Sequence, residues 1–218
     1  MKFLLLLLAI TTFCMANETP EESLANMKKI TPSFKKETLY GAMKYTLQNP
    51  TNNLRRLSGS PFFAKGVPLY IEGRVFDISG RPIKNVIIQI TQTNHYGSYN
   101  FLVEKTSAVH DPYFSSGGVA TTNNLGEYSF LTIMPGRYEN RAPHIHFNIK
   151  HKQFELETEM FFSNHPLNET DTKFQKLNSD EQTASTAQIY YINRQNLAEG
   201  FKARFDIYIN YSFIKNFD

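Results

Sequence analysis

Two histidines separated by one residue carry the clearest chemical signal in the sequence. Side chains at i and i+2 of a strand project from the same face, so the imidazoles of His144 and His146 would converge while Ile145 points the other way. Two imidazoles at this spacing indicate a metal site, although a strand histidine can also be an ordinary core or surface residue. The remaining histidines are scattered among polar residues, and we expect them at the surface: His95, His110, His151 and His165.

The cysteine content limits what could complete such a site. The only cysteine, Cys14, lies in the apolar N-terminal segment, so a mature chain without that segment has no disulfide, thiolate ligand or thiol nucleophile. Aspartate, glutamate or tyrosine must therefore supply the other ligands. Two histidines with carboxylates would suggest a zinc hydrolase, but no carboxylate lies at a persuasive spacing, and the sequence has no serine-elbow motif.

The elements that must position these residues are strands. From about residue 66, short runs of β-branched and aromatic residues alternate with Gly, Pro and Asn, which is typical of an all-β fold. We predict strands at 69–76, 86–90, 127–133, 144–149, 156–162 and 203–211, and a short helix capped within Ser179-Asp180-Glu181-Gln182. The predicted architecture is an antiparallel β-sandwich whose long loops carry the active site, preceded by a short, partly helical N-terminal arm.

Composition excludes several classes of protein. The chain has 218 residues, of which 41% are hydrophobic and 20% charged, so it should fold around a core rather than remain disordered. A net charge of +3, from 23 basic and 20 acidic side chains, leaves no large positive field to attract nucleic acid.

The N-terminus resembles an export signal. Lys2 precedes an apolar run, Phe3–Ile10, that is too short to span a membrane but suits a secretory signal peptide, with cleavage after Ala16. We therefore predict a signal peptide at 1–16, an arm at 17–60, a β-sandwich catalytic domain at 61–218, and a secreted or periplasmic protein without a transmembrane helix in its mature chain. The alternative is a lipoprotein anchored through Cys14. The arm could also serve as a contact in a homo-oligomer.

Beyond these features, the chain resembles the intradiol ring-cleavage dioxygenases, such as protocatechuate 3,4-dioxygenase and catechol 1,2-dioxygenase. The resemblance covers residues 66–165 well, and its most specific block is 126–147. The motifs that carry it are Pro68–Val75, Gly80–Asn85, Gly97–Tyr99, Asp111–Phe114, Gly126–Tyr138 and Arg141–Phe147.

The resemblance implies a non-haem Fe(III) centre with two tyrosine and two histidine ligands. The matching positions are Tyr99, Tyr138, His144 and His146. Two phenolates and a hydroxide would balance the 3+ charge, and the bound ion would keep phenols with a pKa normally near 10 ionised at neutral pH. Tyr96 is a nearby competitor for Tyr99, which we prefer because it occupies the Gly-x-Tyr position of the family motif.

Two further roles follow from the same resemblance. Arg141 would orient the substrate and stabilise negative charge on the ring, although an ordinary surface arginine is the alternative. Tyr138 would leave the metal when substrate binds and accept one of its protons. The chain departs from the family pattern at positions expected to tune the site or substrate preference, and these departures leave activity on simple catechols open: Thr91, Val119, Asn123, Leu131 and Glu159.

These observations support one main hypothesis and one from another class. The first is an exported Fe(III) dioxygenase that uses O2 to cleave a catechol-type ring to a muconate-type diacid, with no organic cofactor. The second is a non-catalytic, exported β-sandwich module of the transthyretin-like or carboxypeptidase-regulatory-like type, which the strand-turn-strand Gly73–Ile90 fits equally well. Such a module has no reason to retain two tyrosines, an arginine and two histidines together.

Overall fold

The computed structural model describes residues 30–34, 51–192 and 199–210. Within these ranges the chain is mostly strands, with one short α-helix, α1 (Ser179–Ala184), and two 3-10 turns at Pro166–Glu169 and Phe174–Lys176. The strands are β1 (Pro68–Asp77), β2 (Ile87–Thr91), β3 (Gly117–Thr121), β4 (Glu127–Ile133), β5 (His144–His151), β6 (Phe154–Phe162), β7 (Thr186–Ile192), β8 (Gly200–Arg204) and β9 (Ile207–Ile209).

The strands form one mixed sheet in the order β3-β2-β5-β6-β7-β8-β1-β4, with β9 paired to β1 beside this path. The pairings of β1 with β8 and β9, and of β6 with β7, are parallel, whereas the remaining pairings are antiparallel. The prediction of an all-β chain is confirmed, but the sheet is mixed rather than antiparallel as predicted. Parallel neighbours require a long crossover, and the 163–185 excursion provides one between β6 and β7.

Strand alternation separates a core face from a site face. On β5, the buried side chains Ile145, Phe147 and Ile149 enter the main hydrophobic core, together with inward side chains of β1, β2 and β4. The Phe147 ring lies 6.2 Å from that of Tyr128 on β4, centroid to centroid, so the two halves of the sheet meet in one core. His144 and His146 consequently occupy the opposite face of β5.

A second, smaller apolar cluster covers that opposite face. Ala142, Phe161 and Phe174 are buried together, and Phe34, Leu167 and Leu177 pack against them. Much of this cluster comes from the polar excursion after β6, which folds back over the outer face of β5 and β6. The excursion therefore forms one wall around the histidines.

Four details differ from the predicted elements. β3 and β7 were not predicted, and the strand predicted at 203–211 is two strands separated by Phe205 and Asp206, while residue 211 lies outside the described ranges. The break occurs where a side chain on Gly73 of β1 would overlap the Phe205 carbonyl oxygen. The predicted short helix is present, but its cap is Asn178, whose side chain accepts from the Asp180 and Glu181 amides.

The signal peptide, Cys14 and the helical spacing expected in the arm lie outside the described residues. The described parts of the arm contact the sheet: the Thr31 amide donates to the Tyr208 carbonyl at 3.1 Å, and Leu54 is fully buried in the main core. Among the described residues, no helix has the length and apolar character needed to cross a membrane.

Candidate metal centre

Both histidines of the predicted pair direct Nε2 toward the same point. The two Nε2 atoms are 3.2 Å apart, and the ring centroids are 4.8 Å apart in an edge-to-face arrangement. His144 is 5% exposed and its ring stacks on Phe161, its cross-strand partner on β6. The spacing of two residues on β5 therefore produces the convergence that the sequence predicted.

The tautomer of His144 follows from its backbone contact. Its Nδ1 lies 2.6 Å from the carbonyl oxygen of Ala142, an acceptor, so Nδ1 carries the proton and Nε2 presents a lone pair. Burial, and then the nearby Arg141 charge, lower the pKa of His144 to about 4. Burial, followed by the His144 and Arg141 charges, also holds the pKa of His146 well below its ordinary value, so both rings are neutral at pH 7.

Tyr99 is the third side chain of the group that begins with His144 and His146. Its hydroxyl oxygen lies 3.1 Å from His146 Nε2, and only 3% of the residue is exposed. Burial raises its pKa above the ordinary value near 10, so the phenol stays protonated unless a cation binds beside it. Tyr96, the competing tyrosine, is 42% exposed and its hydroxyl accepts from Lys65 Nζ instead.

Two glycines bring the tyrosine-bearing loops together. Gly97 adopts a φ of +79°, and a side chain there would overlap the carbonyl oxygen of Arg137 in the other loop. Gly136 donates its amide to the Asn94 carbonyl at 2.9 Å and likewise has no room for a side chain. Tyr99 and Tyr138 each follow one of these glycines by two residues.

Tyr138 contacts the group through Tyr99 rather than through the imidazoles. The two tyrosine rings meet edge to face with centroids 5.2 Å apart, and Tyr138 is partly exposed. Its pKa is raised by partial burial and by a side-chain hydrogen bond with Glu139. The structure thus places Tyr99 and His144 each within hydrogen-bonding distance of His146 Nε2, with Tyr138, the fourth predicted ligand, at the edge of this group.

The donor geometry fits a first-row transition metal. Metal–nitrogen bonds of about 2.0–2.1 Å place donors at right angles about 3 Å apart, close to the observed separations of 3.2 Å and 3.1 Å. A phenol beside two imidazoles also supplies the mixed oxygen and nitrogen set that suits a hard, trivalent ion better than thiolate would. Tyr99, His144 and His146 could therefore hold such an ion without rearrangement of the strands.

Arg141 lies beside this group and is held by two carboxylates. Its Nε is 2.9 Å from Asp171 Oδ2 and its Nη2 is 2.5 Å from Glu159 Oε2, with 14% of the side chain exposed. Burial alone would lower the Arg141 pKa, but the two carboxylates outweigh it and raise the pKa. Asp171 also accepts the Ala142 amide at 2.8 Å, which fixes the chain just before His144.

Comparison with known proteins identifies the family to which this site belongs. The sequence profile of the family described as "Dioxygenase" matches residues 44–209, about three quarters of the chain. The chain belongs to the intradiol ring-cleavage dioxygenase family. The predicted resemblance is thereby confirmed, and enzymes of this family use non-haem Fe(III).

Individual relatives agree with this family. The chain is 36% identical over 119 residues to the protocatechuate 3,4-dioxygenase beta chain of Burkholderia cepacia. This alignment covers 50% of this chain and 51% of that one, so the chain spans about half the length of that relative. The dioxygenase domain of a carbohydrate-binding fusion protein from Streptomyces sp. SirexAA-E is 25% identical with a TM-score of 0.55, covering 82% of this chain and 93% of that one. An intradiol ring-cleavage dioxygenase from Tetranychus urticae shares the fold at 22% identity and a TM-score of 0.57, covering 77% and 89% of the two chains.

Sequence reasoning missed two residues of this candidate site. Asp171 lies in the polar excursion, where no pattern distinguishes it from its neighbours. Glu159 was noted only as a departure from the family pattern, yet it is 2% exposed and lies 3.6 Å from His146 Nδ1. Knowledge of the β5–β6 pairing register would have revealed the position of Glu159, because Glu159 is the cross-strand partner of His146.

The other departures differ in how close they lie to the centre. Thr91 on β2 is the partner of His146 across the opposite strand pairing. Val119 and Asn123 instead line a 760 Å³ cavity between β3 and β4, and none of the predicted ligands lines that cavity. Leu131 pairs with Tyr70 on β1.

Proposed function

We propose that this chain is a non-haem Fe(III) intradiol dioxygenase that uses O2 to cleave a catechol-type ring between its hydroxyl-bearing carbons, giving a muconate-type diacid. The observation that carries this proposal is the position of His146 Nε2, which lies 3.1 Å from the Tyr99 hydroxyl oxygen and 3.2 Å from His144 Nε2, in a member of this family.

In the proposed enzyme, Tyr99, Tyr138, His144 and His146 would hold the ion. When bound, ferric iron supplies a Lewis acid that a catecholate can chelate and an electron acceptor that makes the ring reactive toward O2. Ionised Tyr99 and Tyr138, with a hydroxide, would leave the buried site without net charge. This neutrality favours binding because an uncompensated charge in a dry interior costs several kcal/mol.

Tyr138 and Arg141 are the residues that we propose act on the substrate. The partly exposed Tyr138 is suited to take a proton from the catechol at its phenolic oxygen, because it lies at the edge of the group rather than at its buried centre. Arg141 is held in place by Glu159 and Asp171, so its guanidinium can stabilise negative charge on the ring with little reorganisation. The substrate class follows from the family, and we propose it as a catechol-type diol.

Iron loading and a visible spectrum test the proposal. The purified protein loaded with ferric iron should be red to purple, because ionised phenols transfer charge to Fe(III), and it should consume O2 with at least one member of a panel of catechols. Tyr99→Phe should remove or shift the colour, whereas Tyr96→Phe should leave it unchanged, since the Tyr96 hydroxyl contacts Lys65. A colourless protein with stoichiometric zinc, or with no metal, would favour a zinc site or a non-catalytic β-sandwich module.

We further propose that the protein is exported, with residues 1–16 removed, and that the arm contacts a second copy. The support for export is the apolar run after Lys2 and the small residue at Ala16. N-terminal sequencing of protein recovered outside the cytoplasm should begin at Asn17. Light scattering of the mature chain with and without residues 17–29, the first part of the arm, tests this contact, since their loss should reduce the mass of a dimer to that of a monomer.

A further inference from the structure

A buried carboxylate lies directly behind one of the proposed ligands. Glu159 on β6 is the cross-strand partner of His146 on β5, and both side chains project from the outer face of the sheet. Only 2% of the Glu159 side chain is exposed. An ionised carboxylate is costly to bury without partners, so Glu159 must be stabilised by the groups that surround it.

The contacts of Glu159 divide between its two oxygens. Oε2 forms an ion pair with Arg141 Nη2 at 2.5 Å. Oε1 lies 3.6 Å from His146 Nδ1 and 3.4 Å from Lys173 Nζ. Burial raises the pKa of this carboxyl, and the adjacent Arg141 charge opposes that shift.

The side of the imidazole that Glu159 faces determines what it can do. His144, His146 and Glu159 lie close enough together to suggest a metal site with two histidines and one carboxylate. However, the His146 atom that meets His144 and Tyr99 is Nε2, whereas Glu159 faces Nδ1, which points away from Nε2 on the ring. Glu159 therefore lies behind His146 and does not share its centre.

This inference rests on the proposed function. We propose that Glu159 is a positioning residue: its negative charge keeps the His146 proton on Nδ1, so that the Nε2 lone pair is free to bind the proposed metal, and its ion pair ties His146 to Arg141. A carboxylate behind a ligating imidazole also makes that imidazole a stronger electron donor. At 3.6 Å the contact with Nδ1 is longer than a normal hydrogen bond, so Glu159 acts chiefly through its charge.

The first test needs no metal. In the metal-free protein near neutral pH, the imidazole ¹⁵N chemical shifts of His146 should show the proton on Nδ1, facing Glu159, while the protonated Tyr99 hydroxyl donates to the Nε2 lone pair at 3.1 Å. Glu159→Gln should move a substantial fraction of that proton to Nε2. A wild-type His146 protonated on Nε2, or a tautomer unchanged by Glu159→Gln, would overturn the inference even if the iron enzyme behaves as proposed.

The second test uses the iron-loaded protein and a matched control. Glu157→Gln makes the same change on the same strand and face, but Glu157 is the partner of Asn148 and accepts from its side-chain amide at 2.9 Å. Glu159→Gln should bind iron about 10- to 100-fold more weakly than wild type, measured by competition with a chelator. Its charge-transfer band should move to longer wavelength, because a weaker imidazole donor makes the iron easier to reduce.

The outcomes separate the two proposals. Equal shifts of the band in both variants would show a general effect of removing a negative charge from β6 and would refute the role of Glu159. A protein that takes up no iron, yet shows the expected change of His146 tautomer, would reject the proposed function and retain the positioning of the proton. Lower thermal stability of Glu159→Gln with an unchanged tautomer would mean that Glu159 only supports the fold.

Discussion

Protonation of His144 should make the metal-free protein lose stability in mild acid. The unfolded chain binds a proton at His144 below its ordinary pKa near 6.5, whereas burial and the Arg141 charge delay protonation in the folded state to about pH 4. Since the unfolded state binds more protons between these values, stability falls as pH falls from about 6.5 toward 4, and this term is constant above that window. At about 1.4 kcal/mol per pH unit, the full effect is roughly 3 kcal/mol.

Urea denaturation of the metal-free wild type and of His144→Asn measures this effect. Between about pH 7.5 and about pH 4.5, wild type should lose roughly 2–3 kcal/mol more unfolding free energy than the variant, because only wild type carries the buried His144 imidazole, whereas both carry His146. His151→Asn is the control, because His151 is on the same strand but is only partly buried, although burial lowers its pKa too. If the difference between wild type and His144→Asn does not change with pH, His144 is not held as a buried neutral ring, and the described centre is wrong.

Three further substitutions test how the site is supported. Gly97→Ala should destabilise the protein by about 1–3 kcal/mol and weaken the iron colour, because its φ is +79° and the added methyl would overlap the neighbouring loop; an unchanged melting temperature would contradict this. Tyr128→Phe removes the hydroxyl that donates to the Phe205 carbonyl at 2.5 Å and should cost about 1–3 kcal/mol in urea denaturation, with iron binding unaffected. Asp171→Asn should cost about 2–4 kcal/mol and reduce oxygen uptake, since it removes a buried carboxylate from Arg141; equal activity would show that this ion pair does not position the arginine.

The strands that sequence patterns predicted well are those with a continuous hydrophobic signal. The predicted bounds of β4, residues 127–133, match the structure, and β1 and β6 differ by two residues or fewer at each end. β3 (Gly117–Thr121) escaped prediction because glycine and alanine occupy three of its five positions and carry little strand propensity. β7 escaped because most of its side chains are partly or fully exposed, so it lacks alternation between a buried and a polar face.

The order of the strands was less predictable than their positions. Parallel pairing of β1 with β8 joins segments about 130 residues apart, and no local pattern encodes such a contact. What sequence reasoning could not see was the use of the long 163–185 segment as a crossover. Its polar composition indicates a loop, but it does not show whether the next strand runs parallel or antiparallel to the previous one.

The candidate site shows the same division between local and distant information. The convergence of His144 and His146 follows from strand geometry alone, because a period of two places both imidazoles on one face. Tyr99 is 45 residues before His144, and only the resemblance to a family distinguished it from Tyr96. The physical signal for Tyr99 is the glycine two residues earlier, but its meaning depends on the Gly136 loop against which it packs.

The position of Glu159 behind His146 could have been predicted if the register of the β5–β6 hairpin had been known. The β5–β6 hairpin pairs His151 with Phe154 around two turn residues, and this register places Glu159 opposite His146 and Glu157 opposite Asn148. A register shifted by one residue would instead set the buried Thr158 opposite His146 and turn Glu159 toward the apolar core, at the cost of burying a carboxylate without a partner. The tight turn and the apolar face of β6 together therefore determine which charged residue lies behind the proposed metal ligand, and the chemistry of the centre depends on a contact set by the packing of the opposite face.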